Sequence, residues 1–144
     1  MKEDENNRQP RSMKQWNIVK GENSWMLFKV ISEFVDGFET LNRIGPCVSI
    51  FGSARTKPGS KYYESAEKIA KRLTDEGYGI ITGGGPGIME AGNKGAYENN
   101  GLSVGLNIEL PFEQNHNPYI DPDKNIDHRF FFVSRIHLFT KRLD

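Results

Sequence analysis

The fold is decided by one stretch of the chain, Ile80-Ile81-Thr82-Gly83-Gly84-Gly85-Pro86-Gly87-Ile88-Met89-Glu90. Its apolar start is typical of a buried strand, and its glycine-rich middle is typical of a turn that opens a helix. Glycines let backbone N–H groups approach an anion, and the helix adds unpaired N–H groups and the positive end of its dipole. The stretch therefore predicts a cradle for the phosphate of a small molecule; the alternative is a glycine-rich turn without a ligand.

The spacing of these glycines excludes two common nucleotide-binding motifs. The dinucleotide fingerprint G-x-G-x-x-G needs a glycine three residues after Gly85, where this chain has Ile88. A P-loop needs Gly-Lys-Ser/Thr five residues after its first glycine, but Gly87 is followed at that distance by Gly92-Asn93-Lys94-Gly95. The pattern favours neither an NAD site nor a Walker-type ATPase.

The composition narrows the class of protein. The 144 residues suffice for one domain with one modest core. Acidic and basic residues number 19 each, so the net charge is zero and we expect no binding to nucleic acid. The single cysteine, Cys47, cannot form an intrachain disulfide, which fits a reducing compartment. No apolar run approaches the roughly 20 residues that cross a bilayer, so we expect a cytoplasmic protein without membrane contact.

The chain divides into a tail and one domain. Residues 1–21 are rich in charged and amide side chains and predict a flexible tail. We expect residues 22–144 to form one domain, a partial Rossmann-like nucleotide-binding domain on the grounds given below. Apolar residues then recur at three- and four-residue intervals, which predicts an amphipathic helix with Ser24 or Asn23 as its N-cap. This helix packs on its own domain or, alternatively, in an oligomer. Its apolar residues are Trp25, Phe28, Ile31, Phe34, Val35, Phe38 and Leu41.

Strands and helices alternate after this first helix. Such alternation predicts an open, parallel α/β sheet of Rossmann-like type with right-handed crossovers. A long polar loop over Pro111–Asp127 is expected to precede a fourth strand, which begins at Phe130–Val133. The earlier predicted elements are a strand at Cys47–Phe51, a helix at Tyr62–Glu76, a strand at Tyr78–Thr82, a helix from Pro86 to Asn99 and a strand at Ser103–Ile108.

Ligands of open α/β sheets bind at the carboxyl ends of the strands. In this chain the turn Gly52-Ser53 follows the first strand, the glycine loop Gly83–Gly87 follows the second, and Asn107-Ile108-Glu109 ends the third. We therefore expect these three segments to line one crevice.

Three motifs resemble those of the longer bacterial Lonely guy (LOG) proteins. They are Gly52-Ser53-Ala54-Arg55, Gly83 to Ala91, and Gly105 to Gln114, and the resemblance extends from about Trp25 to Val133. It implies a Rossmann-like enzyme that hydrolyses the N-glycosidic bond of nucleoside 5'-monophosphates, such as AMP or cytokinin riboside monophosphates, to a free base and ribose 5-phosphate. It also implies a dimer or larger homo-oligomer that needs no metal and no cofactor.

The resemblance assigns roles to individual residues. Glu113 matches the glutamate that binds the sugar or base, and Met89 is a weaker candidate for a ligand contact. Glu90, in the first turn of its helix, is expected to stabilise the helix dipole. The label lysine decarboxylase-like, also used for this family, finds no support, because Lys94 is the nearest candidate and lies in mid-helix. The remaining residues of the expected substrate-binding site are Gly52, Ser53, Gly83, Gly84, Gly85 and Gly87.

The chain departs from the family pattern in its catalytic half. The family has an adjacent Arg-Lys pair after its aromatic strand, where this chain reads Phe131-Phe132-Val133-Ser134-Arg135. Arg135 is therefore the candidate catalytic residue, shifted by one position or aligned with the lysine. The second family signature, P-G-G-x-G-T-x-x-E, does not occur in these 144 residues. Two hypotheses follow: a C-terminally truncated nucleotide hydrolase, or a catalytically incomplete nucleotide-binding fragment that regulates a full-length partner.

Overall fold

A parallel four-stranded sheet forms the centre of the computed structural model, which describes residues 13–108 and 116–130. The strands lie in the order β1-β2-β3-β4 and each neighbouring pair is parallel. This arrangement confirms the predicted Rossmann-like α/β class. The elements are α1 (Met13–Asn42), β1 (Cys47–Ser49), α2 (Lys61–Asp75), β2 (Gly79–Thr82), α3 (Ile88–Glu98), β3 (Ser103–Ile108) and β4 (Asn125–His128).

Apolar side chains cover both faces of the sheet. On one face the end of α1 packs with strand residues in a cluster that contains Leu41, Ile44, Ile81, Val104 and Leu106. On the other face α2 and α3 pack through two small clusters, one around Tyr63, Ala66 and Ala91 and one around Ala70, Ile80 and Ala96. Burial of both faces explains why β2 reads as a continuous apolar run rather than an alternating one.

Helix α2 begins and ends at the signals that the sequence carries. Ser60 is the N-cap, and its Oγ accepts a hydrogen bond from the N–H group of Tyr63 at 3.3 Å. After the helix, Gly77 has a φ of +87°, and the N–H group of Tyr78 donates to the carbonyl of Leu73 at 3.0 Å. This left-handed glycine turns the chain directly into β2.

Helix α1 differs from the prediction in its start and in its packing. It begins at Met13, so residues 13–21, which were expected to belong to the tail, are helical, and neither Asn23 nor Ser24 is its N-cap. Leu41 is buried, whereas Trp25, Phe28 and Ile31 are exposed. Only the C-terminal part of the apolar stripe therefore packs on the described domain. There the Glu33 carboxylate also accepts hydrogen bonds from the backbone N–H groups of residues 129 and 130, at 3.0 and 3.2 Å.

The fourth strand also lies elsewhere than predicted. It is Asn125–His128, of which the first three residues lie inside the segment expected to be a loop, and Leu106 pairs with Ile126. The residues 131–133 of the predicted strand lie outside the described residues. No helix in residues 13–108 and 116–130 is long and apolar enough to span a membrane.

Candidate functional site

The two glycine turns touch each other at the carboxyl ends of β1 and β2. A Cβ atom placed on Gly87 would lie 2.2 Å from the carbonyl oxygen of Ser53, and one placed on Gly52 would lie 2.6 Å from the Cβ of Ile88. The N–H group of Ile88 donates to the Ser53 carbonyl at 3.1 Å. The turn after β1 therefore packs on the start of α3 with no room for a side chain between them.

Strand β3 adds a third wall to this crevice through Asn107. A Cβ atom on Gly84 would lie 1.6 Å from Oδ1 of Asn107, and Gly84 has a φ of +74°. Both the space and the backbone conformation exclude a side chain at Gly84. Asn107 in turn donates through Nδ2 to Asn125 and to Asp127 at the end of β4. The expected convergence of three strand ends is present as far as Asn107, whereas Glu109 lies outside the described residues.

The start of α3 presents backbone donors to the crevice. Gly87 is its N-cap, with a φ of +74° and no side-chain hydrogen bond to the helix. The N–H group of Ile88 is paired with Ser53, but within residues 13–108 and 116–130 nothing accepts from the N–H groups of Met89 and Glu90. Unpaired N–H groups at a helix start attract an anion, and the helix dipole adds to the attraction.

A carboxylate also lies in the first turn of α3, and a buried tyrosine holds it. Tyr63 of α2 is 3% exposed, and its hydroxyl donates to Oε1 of Glu90 at 2.9 Å. Burial, together with this hydrogen bond to the carboxylate, raises the pKa of Tyr63. Tyr63 therefore stays a neutral donor, and one oxygen of Glu90 is bonded to α2.

A network of buried amide and hydroxyl groups lies directly beneath the glycine loop. Its centre is Asn93 of α3, which is fully buried. Asn93 Nδ2 donates to the hydroxyl of Ser103 at 2.9 Å and to the carbonyl of Val104 at 3.2 Å. Asn93 Oδ1 accepts from the hydroxyl of Thr82 and, at 3.0 Å, from Nδ2 of Asn117. The helix is thus joined to β2, to β3 and to the segment that precedes β4.

This network continues into the glycine loop itself. Asn117 donates from its backbone N–H group to the carbonyl of Gly84 at 2.8 Å, and from Nδ2 to the carbonyls of Gly84 and Gly85, both at 3.2 Å. Thr82 Oγ1 accepts from the N–H group of Gly84 at 2.9 Å. Sequence reasoning missed Asn93 and Asn117. For Asn93 the available signal was its position in the interior of a predicted helix. Asparagine has a poor helix propensity, so an asparagine at such a position indicates buried hydrogen-bond partners.

The structure brings together most of the residues predicted for the site. Met89 lies beside the glycine loop, because its Sδ is 3.1 Å from the position that a Cβ atom on Gly83 would take. Glu113 and Arg135 lie outside the described residues, so both remain predictions. The residues found in or beside the crevice are Gly52, Ser53, Gly83, Gly84, Gly85, Gly87 and Met89.

Lys94 lies apart from this chemistry. Its Nζ is 3.1 Å from a carboxylate oxygen of Glu67 on α2, and this hydrogen bond raises the pKa of Lys94. A lysine that forms a Schiff base needs the opposite shift, because the neutral amine is the nucleophile. Within residues 13–108 and 116–130, no three histidine, cysteine, aspartate or glutamate side chains are grouped so that they could hold a metal ion.

Comparisons with known proteins point to one family. A family model described as the SLOG cluster4 family matches residues 46–127. The X-ray structure of TM1055, a Northeast Structural Genomics Consortium target, is similar to this chain with a TM-score of 0.51 and 26% sequence identity. The match covers 67% of this chain and 54% of TM1055, so the chain spans about half the length of that protein. A search of curated proteins found no match.

Proposed function

Because the chain belongs to the SLOG cluster4 family, we propose that it binds a nucleoside 5'-monophosphate and belongs to an enzyme that hydrolyses the N-glycosidic bond of this substrate. The family match confirms the resemblance to the LOG proteins and suggests a nucleotide-related role. The products would be a free base and ribose 5-phosphate, and AMP or a cytokinin riboside monophosphate would be the substrate.

One observation carries the proposal: the start of α3, the turn after β1 and Asn107 enclose a crevice lined by backbone donors. Among residues 13–108 and 116–130, no acceptor is bonded to the N–H groups of Met89 and Glu90 there. A phosphate monoester offers acceptor oxygens and negative charge, which are the features that such donors and the dipole of α3 select. Glycine at Gly84 and Gly87 lets Asn107 and the Ser53 backbone pack against the loop, because a Cβ atom at either position would clash with them.

The bond to be broken sets the remaining requirements. Cleavage of an N-glycosidic bond passes through an oxocarbenium-like state, so a carboxylate near the anomeric carbon has to stabilise positive charge or activate water. The leaving base needs a proton or a positive charge. By the family resemblance, Glu113 would contact the sugar or base and Arg135 would assist the leaving group.

A chromatographic assay with AMP tests the proposal. Purified protein is incubated with AMP while adenine and ribose 5-phosphate are quantified, and AMP binding is measured by calorimetry. The Gly84→Ala variant should lose binding, because the new Cβ meets Asn107 and the backbone has a positive φ. Gly45→Ala is the matched control, since a Cβ on Gly45 meets nothing within 4 Å. Equal AMP affinity in the two variants would refute the phosphate site.

The second candidate function is nucleotide binding without catalysis, in a fragment or regulatory partner of a full-length homologue. It is favoured by the position of Glu90, the carboxylate at the start of α3. Because Tyr63 already donates a hydrogen bond to one oxygen of Glu90, this carboxylate is held in the fold rather than left for catalysis. AMP binding without release of adenine would support this function. Release that is lost in Glu113→Gln would support the hydrolase instead.

A homo-oligomer is the expected partner state and remains a prediction. Its physical motivation is α1, where Trp25, Phe28 and Ile31 are exposed. Multi-angle light scattering on the wild type and on Phe28→Glu tests it. A monomeric mass for both proteins would contradict the prediction.

A further inference from the structure

One exposed aromatic side chain lies beside the glycine loop. Among the described residues, the other large exposed hydrophobic side chains all belong to α1, α2 or α3, but Phe51 follows β1 at the carboxyl edge of the sheet. Phe51 is 53% exposed. Its Cε1 lies 3.4 Å from the position of a Cβ on Gly83, and Met89 Sδ lies 3.1 Å from the same point. The ring therefore borders the first residue of the glycine loop.

Core packing does not account for Phe51. Val48 and Ile50 pack on the cluster formed by Ala70, Ile80 and Ala96. Ser49 and Phe51 alternate with them along the chain and are exposed. A phenylalanine that leaves half of its surface in water gives up much of the free energy that burial would supply. Its place next to an anion cradle, rather than on a helix surface, calls for a ligand with an apolar or aromatic face.

We propose that Phe51 is the platform on which the base of the bound nucleotide stacks. This inference rests on the proposed function, which supplies the phosphate site beside the ring. A planar heteroaromatic base has a π-face that stacks on an aromatic side chain, whereas a sugar phosphate without a base has none. Phe51 would then distinguish a nucleotide from ribose 5-phosphate, while the glycine loop holds the phosphate of both.

Binding measurements on two ligands separate these roles. The affinities of AMP and ribose 5-phosphate are measured by calorimetry for the wild type, Phe51→Ala and Phe51→Trp. Phe51→Ala should weaken AMP binding about tenfold or more, and Phe51→Trp should keep it within about threefold, because stacking on one aromatic ring accounts for such factors. The affinity for ribose 5-phosphate should be the same in all three proteins.

Tyr97→Ala is the matched control. Tyr97 is an aromatic residue with 46% exposure near the end of α3, and α3 begins at the glycine loop, so Tyr97 lies at the far end of that helix. Its truncation should leave both affinities unchanged.

Each other outcome overturns a distinct statement. If Phe51→Ala lowers the affinities for AMP and ribose 5-phosphate by the same factor, the ring supports the glycine loop and does not stack on a base. If Phe51→Ala lowers neither affinity, Phe51 makes no contact with the nucleotide. If the wild type binds neither ligand, the phosphate site of the proposed function fails, and the stacking platform fails with it.

Discussion

Replacing Asn93 with alanine tests whether the buried network holds the sheet and α3 together. The substitution removes the four hydrogen bonds of the amide, two donated to Ser103 and Val104 and two accepted from Thr82 and Asn117. Ser103 Oγ keeps the carbonyl of Tyr119 as an acceptor, and Asn117 keeps its bonds to the glycine loop.

The largest single part of the expected loss in the free energy of unfolding comes from Thr82, whose hydroxyl loses its acceptor. The Thr82 hydroxyl, fully buried, loses its acceptor, and an unsatisfied buried group costs about 1–3 kcal/mol. The other lost bonds add about 1 kcal/mol each before any relaxation. Alanine regains roughly 0.5 kcal/mol of helix propensity. We therefore expect Asn93→Ala to lower the free energy of unfolding by about 4 kcal/mol.

Asn99→Ala is the control, because it removes an amide that donates three hydrogen bonds, one more than Asn93 does, in a more solvent-exposed place. Asn99 Nδ2 donates to the Lys71 carbonyl, Thr74 Oγ1 and Asp75 Oδ1 near the surface. Water can replace these bonds, so the loss should be about 1 kcal/mol or less. Urea unfolding followed by far-ultraviolet circular dichroism measures both values. If Asn93→Ala costs no more than Asn99→Ala, the network does not stabilise the fold as argued.

Three further changes have defined outcomes. Gly95→Ala should destabilise the protein by about 2 kcal/mol in thermal unfolding, because its Cβ would lie 2.3 Å from the carbonyl oxygen of Glu67 across the α2–α3 contact. Tyr63→Phe leaves Glu90 without its donor and should cost about 1.5 kcal/mol at neutral pH. Burial raises the pKa of folded Tyr63 above the value of about 10 in an unfolded chain. The contribution of Tyr63 is therefore complete below about pH 10 and falls progressively as the pH rises from there toward the raised pKa of the folded state. The difference in urea midpoint between the wild type and Tyr63→Phe should accordingly be smaller at about pH 11 than at neutral pH. Asn117→Ala removes the side-chain hydrogen bonds to the carbonyls of Gly84 and Gly85, while the backbone N–H group of residue 117 still donates to Gly84. The variant should bind AMP and ribose 5-phosphate more weakly by about the same factor in calorimetry, whereas a loss confined to AMP would place Asn117 at the base.

The predictable part of the fold is the part whose local signals agree with its tertiary contacts. The run from Ile80 into the glycine loop carries its own apolar strand, its turn residues and its helix start, and the structure has all three there. The end of α2 at Gly77 is equally local, because a left-handed residue after a helix favours glycine.

Strand β4 could not be read from local signals. Its four residues, Asn125-Ile126-Asp127-His128, include one apolar residue, Ile126. They form a strand because they pair with Gly105 to Ile108 of β3. Strand preference in such a segment comes from the neighbour rather than from the sequence itself. The start of α1 at Met13 was not predicted for a related reason. Apolar periodicity indicates the buried face of a helix but does not indicate where the helix begins.

The buried network explains why a loop of glycines can present donors, rather than acceptors, to an anion. A glycine-rich loop exposes carbonyl oxygens as readily as N–H groups, and carbonyl oxygens repel a phosphate. Here the carbonyls of Gly84 and Gly85 are bonded to Asn117, and the Ser53 carbonyl is bonded to the N–H group of Ile88. With these acceptors occupied, the N–H groups at the start of α3 contribute positive potential to the crevice, beside the Glu90 carboxylate, of which one oxygen is bonded to Tyr63. The anion selectivity that we propose for this site would then depend on Asn117, which need not touch the ligand, and this dependence arises only when the strands are assembled.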